Sequence, residues 1–146
     1  DVPEVSLSAG GKQRLAIDTS SPNAGLNYWV YGSMTGVSPG IAIGPFTIPL
    51  VQDAYFSHCK QFFNVPPLFH SLGVLDSQGN ASAYFEVPAG SPPAQAGLKV
   101  FHSVLLLKKV GEHRDVQRAA LIPAEVELIG KCGPACGFRR CHQPFG

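Results

Sequence analysis

The sequence predicts an all-β protein: an antiparallel β-sandwich of about seven to nine short strands, followed by a cysteine-rich C-terminal tail. Three observations predict it. The 146 residues include 16 glycines and 13 prolines, which is too much punctuation for a helical bundle and suits short strands joined by turns. Apolar residues recur with period two in several stretches, the pattern of a half-buried strand. Charged residues make up 14% of the chain, against about 25% in ordinary soluble domains, so much of it is free to form a core. The length fits one domain. We place it at residues 1–130, with residues 131–146 as a tail that has no core of its own.

Each element follows from local pattern. Glu4–Ser8 (EVSLS) alternates and reads as a first strand, ended by Gly10-Gly11. Lys12–Asp18 (KQRLAID) sets Leu15 and Ile17 on one face, as in a half-buried strand. Ser20–Gly25 is a turn cluster. Leu26–Gly32 (LNYWVYG) is aromatic and β-branched and reads as a central strand. Gly36–Pro45 is irregular, and Pro49 demotes Phe46–Leu50 to an edge strand or bulge. Ala54–Phe63 reads equally as strand or as one helical turn. Pro67–Leu75 and Ala81–Val87 flank DSQGN and read as a hairpin. Ser91–Gly97 reads as a short helical turn, with Ser at its start and Gly past its end. Leu98–Lys108 is apolar on both faces, as expected of a strand deep in the fold. Gly111–Arg118 is charged and reads as an exposed connection. Ala124–Ile129 alternates and reads as the last strand.

Composition also bounds function. The formal net charge is +1, so nothing global steers the chain toward nucleic acid or an anionic membrane. The pairs Lys108-Lys109 and Arg139-Arg140 read as solvated surface. No apolar run approaches the ~18 residues of a membrane span. The chain opens at Asp1, with Met34 its sole methionine, and reads as a secreted or cell-surface protein whose signal peptide has been removed. No phosphate-binding loop, dinucleotide fingerprint, zinc-protease motif or nucleophile elbow is present, and no residue is assigned a catalytic role.

The segments SLSAGGKQRLAID, NAGLNYWVYGSMTGVSPG, GPFTIPL, DAYF and LGVLDSQGNASAYFEVPAGSPPAQAGLKVFHSVLLL together resemble an uncharacterised domain. That domain recurs at the C-termini of exported proteins from Planctomycetes and other bacteria. The resemblance covers about Ser6 to Leu107. Asn23 stands where that family often has His, and Phe101 replaces the first His of a pair. The tail lies outside the pattern. The resemblance implies an exported β-sandwich used as an accessory domain, and it brings no site residues with it.

Three chemistries compete for the cysteines. Cys59, Cys132, Cys136 and Cys141 would form two disulfides in an oxidising compartment, with a connectivity that sequence leaves open among three. This reading needs no cofactor and no metal. Alternatively, Cys136, Cys141 and His142 form a C-x4-C-H arrangement, a longer-spaced variant of the c-type haem attachment motif. His142 would then be the proximal ligand, with a distal one among His58, His70, His102 and His113. Thirdly, Cys132, Cys136, Cys141 and His142 would suit zinc or copper. The remaining candidates have plainer readings. His102 in an apolar strand reads as a core histidine. Asp18, Asp53, Asp76 and Glu86 sit mostly beside turns, where acids cap backbone. Asn80-Ala-Ser82 matches a glycosylation acceptor, although a turn explains Asn80 without sugar. Tyr28, Trp29 and Tyr31 would stack on a sugar if exposed and otherwise pack inside.

The expectation is a non-catalytic structural or assembly subunit of an extracellular filament, envelope layer or larger complex. Its partners would be other protein subunits, including copies of itself joined by strand addition of the N-terminal segment. A c-type haem electron-transfer protein is the alternative, and a carbohydrate-binding module the third reading.

Overall fold

A computed structural model gives the fold, and it describes residues 4–110 and 113–129. The all-β expectation holds: the described residues are mostly strand with little helix, in antiparallel-rich sheets with a curled half-barrel. The described residues form ten strands, namely β1 Glu4–Ser6, β2 Gly11–Asp18, β3 Asn27–Ser33, β4 Ile41–Ile43, β5 Phe46–Ile48, β6 Leu68–Phe69, β7 Leu72–Val74, β8 Asn80–Val87, β9 Lys99–Val110 and β10 His113–Ile129. One helix, α1, spans Ala54–Gln61.

The strands pair in three sheets, in the orders β1-β10-β9-β3-β7, β2-β8-β6 and β4-β5. Strand β3 sits between β9 and β7, the central place that its aromatic and β-branched residues predicted. In β9, residues 102 to 107 are all buried, so both of its faces meet protein. Strand β2 lies along β8 for its whole length, from Gly11 opposite Val87 to Asp18 opposite Asn80. Its Leu15 and Ile17 are buried as their spacing required. The core joins these residues to Phe85 of β8, Val30 of β3, Val100 and Leu106 of β9, and Ile122 and Leu128 of β10.

Two expectations are corrected, one open choice is decided and one expectation holds in part. The charged stretch after Gly111 is strand from His113 onward, paired antiparallel with β9 from Val110 to Lys99, so residues 113–118 are held by their partner strand and not by their own apolar pattern. The irregular stretch contains β4, which pairs with β5, and β5 ends at Ile48, one residue before Pro49. The ambiguous stretch is helix, started by Asp53 at its N-cap. Finally, the hairpin expected between Pro67–Leu75 and Ala81–Val87 holds in part, since β6 pairs antiparallel with β8, Leu68 opposite Phe85 and Phe69 opposite Tyr84, but β7, next to the turn, does not pair with β8. Strand β7 pairs with β3 while β8 pairs with β2 and β6, because the chain changes sheet at His70, whose φ of 55° breaks the run between β6 and β7. The turn itself has the expected chemistry. Asp76 accepts from the backbone N–H of Gln78 and Asn80, and Gly79 has a φ of 79° where an added Cβ would run into the Ser20 carbonyl.

The N-terminal segment is used inside the chain. Strand β1 pairs in parallel with β10, Glu4 opposite Glu127 and Ser6 opposite Ile129, and Val5 and Leu7 are buried. The helical turn near residue 93 is a single 3₁₀ turn, Pro93–Gln95, with the Ser91 hydroxyl donating to the Pro88 carbonyl.

Candidate functional site

The densest chemistry lies where α1 packs on β3. The Asp53 carboxylate fixes both ends of that contact. Its Oδ1 caps the helix by accepting from Phe56 N–H at 2.9 Å. Its Oδ2 accepts from the backbone N–H of Met34 and Thr35 and from the Thr35 hydroxyl, at 2.7, 3.1 and 2.9 Å. With four donors on one carboxylate, Asp53 is a latch between the helix and the end of β3.

Beneath the helix, Tyr55, Cys59 and His102 meet over Gly32. The Tyr55 hydroxyl and His102 Nε2 are 2.8 Å apart. His102 has no exposure, and burial pushes its pKa from 6.5 down to about 3, so the ring is neutral. Its Nδ1 has no partner among the described residues. Gly32 makes this packing possible, since an added Cβ would collide with the Tyr55 ring and lie 2.9 Å from His102 Cδ2. Cys59 is buried and has no cysteine partner among the described residues. Burial pushes its pKa up to about 11, partly offset by hydrogen bonds from the Gly32 backbone and the Tyr55 side chain. A thiol held protonated in this way is a poor nucleophile. The Tyr31 and Tyr55 phenols are also pushed up, first by burial and then by the neighbouring Cys59.

The helix leads out to the surface. Trp29 stacks on Tyr31 at 5.0 Å and Tyr31 on Phe56 at 5.2 Å, an aromatic row under α1. Phe63 meets Trp29 edge-on at 5.8 Å, and His58 tilts against Phe62 at 5.3 Å. Past the helix end Phe62, Phe63 and Val65 remain 49%, 48% and 38% exposed. Between them Asn64 takes a left-handed φ of 59° and turns its amide onto β7. Its Nδ2 donates to the Leu72 carbonyl and its Oδ1 accepts from Leu72 N–H. Two aromatic rings and a valine are thereby presented on an anchored loop.

The sequence-derived candidates fall as follows. Cys132, Cys136, Cys141 and His142 lie outside the described residues. So does the side chain of His113, although its backbone begins β10. His58 Nε2 lies 3.0 Å from the Pro66 carbonyl. His70 is exposed at the turn between β6 and β7, and His102 is the candidate that the fold encloses. Among the described residues no group of three or more His, Cys, Asp or Glu side chains is gathered as a metal site would need. Tyr28 and Tyr31 are core residues. Trp29 is half-buried with its Nε1 enclosed, so its ring serves packing. Asn80 Oδ1 is also enclosed, with no partner among the described residues. Among the described residues no helix is long and apolar enough to cross a membrane.

Sequence reading missed the apolar surface at residues 62–65. The letters FFNV were visible, but their exposure depends on where α1 ends. No family model, curated protein or solved structure matches the chain.

Proposed function

We propose that this protein is an exported structural or assembly subunit that joins other protein subunits, copies of itself included, through the apolar surface at the end of α1. The observation that carries this reading is the exposure of Phe62, Phe63 and Val65 together on one anchored loop. Large apolar side chains grouped at a surface cost solvation unless a partner covers them, and aromatic residues are enriched where partners bind. The setting outside the cell rests on the resemblance to exported accessory domains.

Two further observations support assembly over the alternatives. The rings expected to meet a sugar, Tyr28, Trp29 and Tyr31, are used in packing. Cys59 is buried beneath α1 with no cysteine partner among the described residues; if it stays a thiol, Cys132, Cys136 and Cys141, an odd number, are left for disulfides in an oxidising compartment. An odd cysteine in an exported chain is suited to pairing with a second chain, and such a bond would fasten the carboxyl end to a neighbour.

Sedimentation velocity tests the reading. The wild-type protein is expected to associate with rising concentration, and the double variant Phe62→Asp, Val65→Asp to remain monomeric with an unchanged circular dichroism spectrum. Equal behaviour of the two proteins would refute the role of this surface. Gel mobility with and without reductant separately reports the interchain bond.

A further inference from the structure

On the solvent side of the β2-β8-β6 sheet, three strands bring cationic and aromatic groups onto one patch. Arg14 of β2 stands directly opposite Tyr84 of β8, and Phe69 of β6 stands opposite Tyr84 on its other flank. The period of two places these three side chains on the same face. Lys12, two residues before Arg14, lays its Nζ 4.4 Å from the centre of the Tyr84 ring, a cation–π contact. His70 meets the same ring edge-on at 5.6 Å. Lys12, Arg14 and His70 are exposed, while Tyr84 and Phe69 are half-buried.

Two details mark the patch as more than a solvated face. Arg14 is held in place, since its Nε donates to the Ser82 hydroxyl at 2.9 Å. That leaves the outer guanidinium nitrogens for a paired contact with a carboxylate. His70 adopts a φ of 55°, uncommon for a residue with a side chain, and its carbonyl is fixed by the Tyr28 hydroxyl at 3.0 Å. The fold therefore holds a histidine in a costly conformation against Tyr84, and backbone strain of this kind gathers at functional sites.

The geometry points to an anionic saccharide as the ligand of this patch, its acidic group between Lys12 and Arg14 and a sugar ring against Tyr84 and Phe69. Aromatic rings supply apolar contact with a polar tip, which suits the mixed surface of a sugar. The charge pattern argues against a nucleic acid. Glu86 stands opposite Lys12, and Asp18 ends β2 on the same face. With Glu86 beside Lys12 and Asp18 four residues beyond Arg14, the face lacks the unbroken positive stripe that a polymer carrying one charge per ~1.7 Å selects, while the two cations suffice for a single acidic group on a sugar. This site is separate from the apolar surface at residues 62–65 and stands independently of the assembly reading.

Affinity electrophoresis of the full chain in gels containing polygalacturonate, dextran sulfate, neutral dextran or single-stranded oligothymidylate tests it. Retardation is expected with polygalacturonate or dextran sulfate and not with neutral dextran, and the stronger of the two identifies carboxylate or sulfate as the favoured group. Arg14→Gln should weaken binding at least tenfold, and Tyr84→Ala likewise, whereas Lys60→Gln, which removes one positive charge from α1, should leave it unchanged. Arg14 is exposed, so its variant folds and keeps the test decisive even if Tyr84→Ala does not. No retardation by either acidic polymer, equal loss in the Lys60 variant, or equal retardation by oligothymidylate would overturn the assignment.

Discussion

Mild acid should destabilise this fold through His102. The ring is fully enclosed, and burial holds its pKa near 3 against an ordinary 6.5. In the unfolded chain the imidazole regains the ordinary value. Between those two values the unfolded state binds a proton that the folded state refuses, so stability falls as pH falls. The contribution is complete above about pH 6.5 and is lost as pH drops toward 3. At 1.36 kcal/mol per unit, moving from pH 7 to pH 5 costs about 2 kcal/mol, and full titration costs on the order of 5 kcal/mol. Denaturant unfolding followed by Trp29 fluorescence at pH 7, 6 and 5 measures this. The same series on His102→Gln removes the imidazole while leaving every other titrating group in place, so those groups cancel in the difference. Wild type should lose about 2 kcal/mol more than the variant over this window. Parallel slopes for the two proteins would show that His102 is reached by water, and the enclosed-histidine account would fail.

Three further outcomes are expected. Gly32→Ala drives a methyl into Tyr55 and His102 and should cost about 1–3 kcal/mol as overpacking, measured by denaturant midpoint; an unchanged midpoint would mean that α1 shifts freely on β3. Asp53→Ala removes the helix cap and the tie to Thr35, and should cost about 2 kcal/mol or somewhat more, since one cap alone is typically worth ~1 kcal/mol. Its check is helical content together with thermal midpoint. Cys59, buried and held near a pKa of 11, should resist a thiol reagent at pH 8 in the folded protein and react on unfolding, with the three tail cysteines replaced by serine so that one thiol is counted.

Much of the sheet structure was legible because it rests on local period. Leu15 and Ile17 in β2 and the doubly apolar β9 carry their burial in the letters. The parts that were not legible depend on distant partners. The charged residues at the start of β10 give no strand signal, and pairing with β9 decides them. The Asp76–Gly79 turn was recognised by its chemistry, yet a turn does not say which sheet its flanking strands join. His102 reads as a core histidine from its strand, but its hydroxyl partner lies 47 residues away on a helix. That helix was within reach, because Asp53 precedes it as an N-cap acid; eight residues were too few to separate helix from strand by period. The saccharide patch was least legible of all, since Lys12, Arg14, His70 and Tyr84 come from three separate stretches and only register unites them.

How the sheets end bears on how the molecule associates. Strand β7 is an edge of the larger sheet, and an open edge invites another chain to add a strand. Here the Leu72 N–H and carbonyl both engage the Asn64 side chain, so an amide takes the place that a new strand would fill. The edge strand β6 has two residues, and β1 has three. These short or plugged edges at β1, β6 and β7 disfavour strand addition there, which leaves the eight-residue β2 as the long edge of the smaller sheet. Asn64→Gly separates the plug from the turn, because glycine adopts the left-handed φ without strain and lacks the amide. The variant should lose about 1–2 kcal/mol for the two hydrogen bonds and gain a tendency to aggregate, seen as light scattering that grows over hours at concentrations where wild type scatters little. Asn64→Asp keeps an acceptor for Leu72 N–H and should fall between the two. If Asn64→Gly scatters no more than wild type while its stability drops as expected, the amide serves the loop alone, and strand addition at β7 returns as a route to assembly.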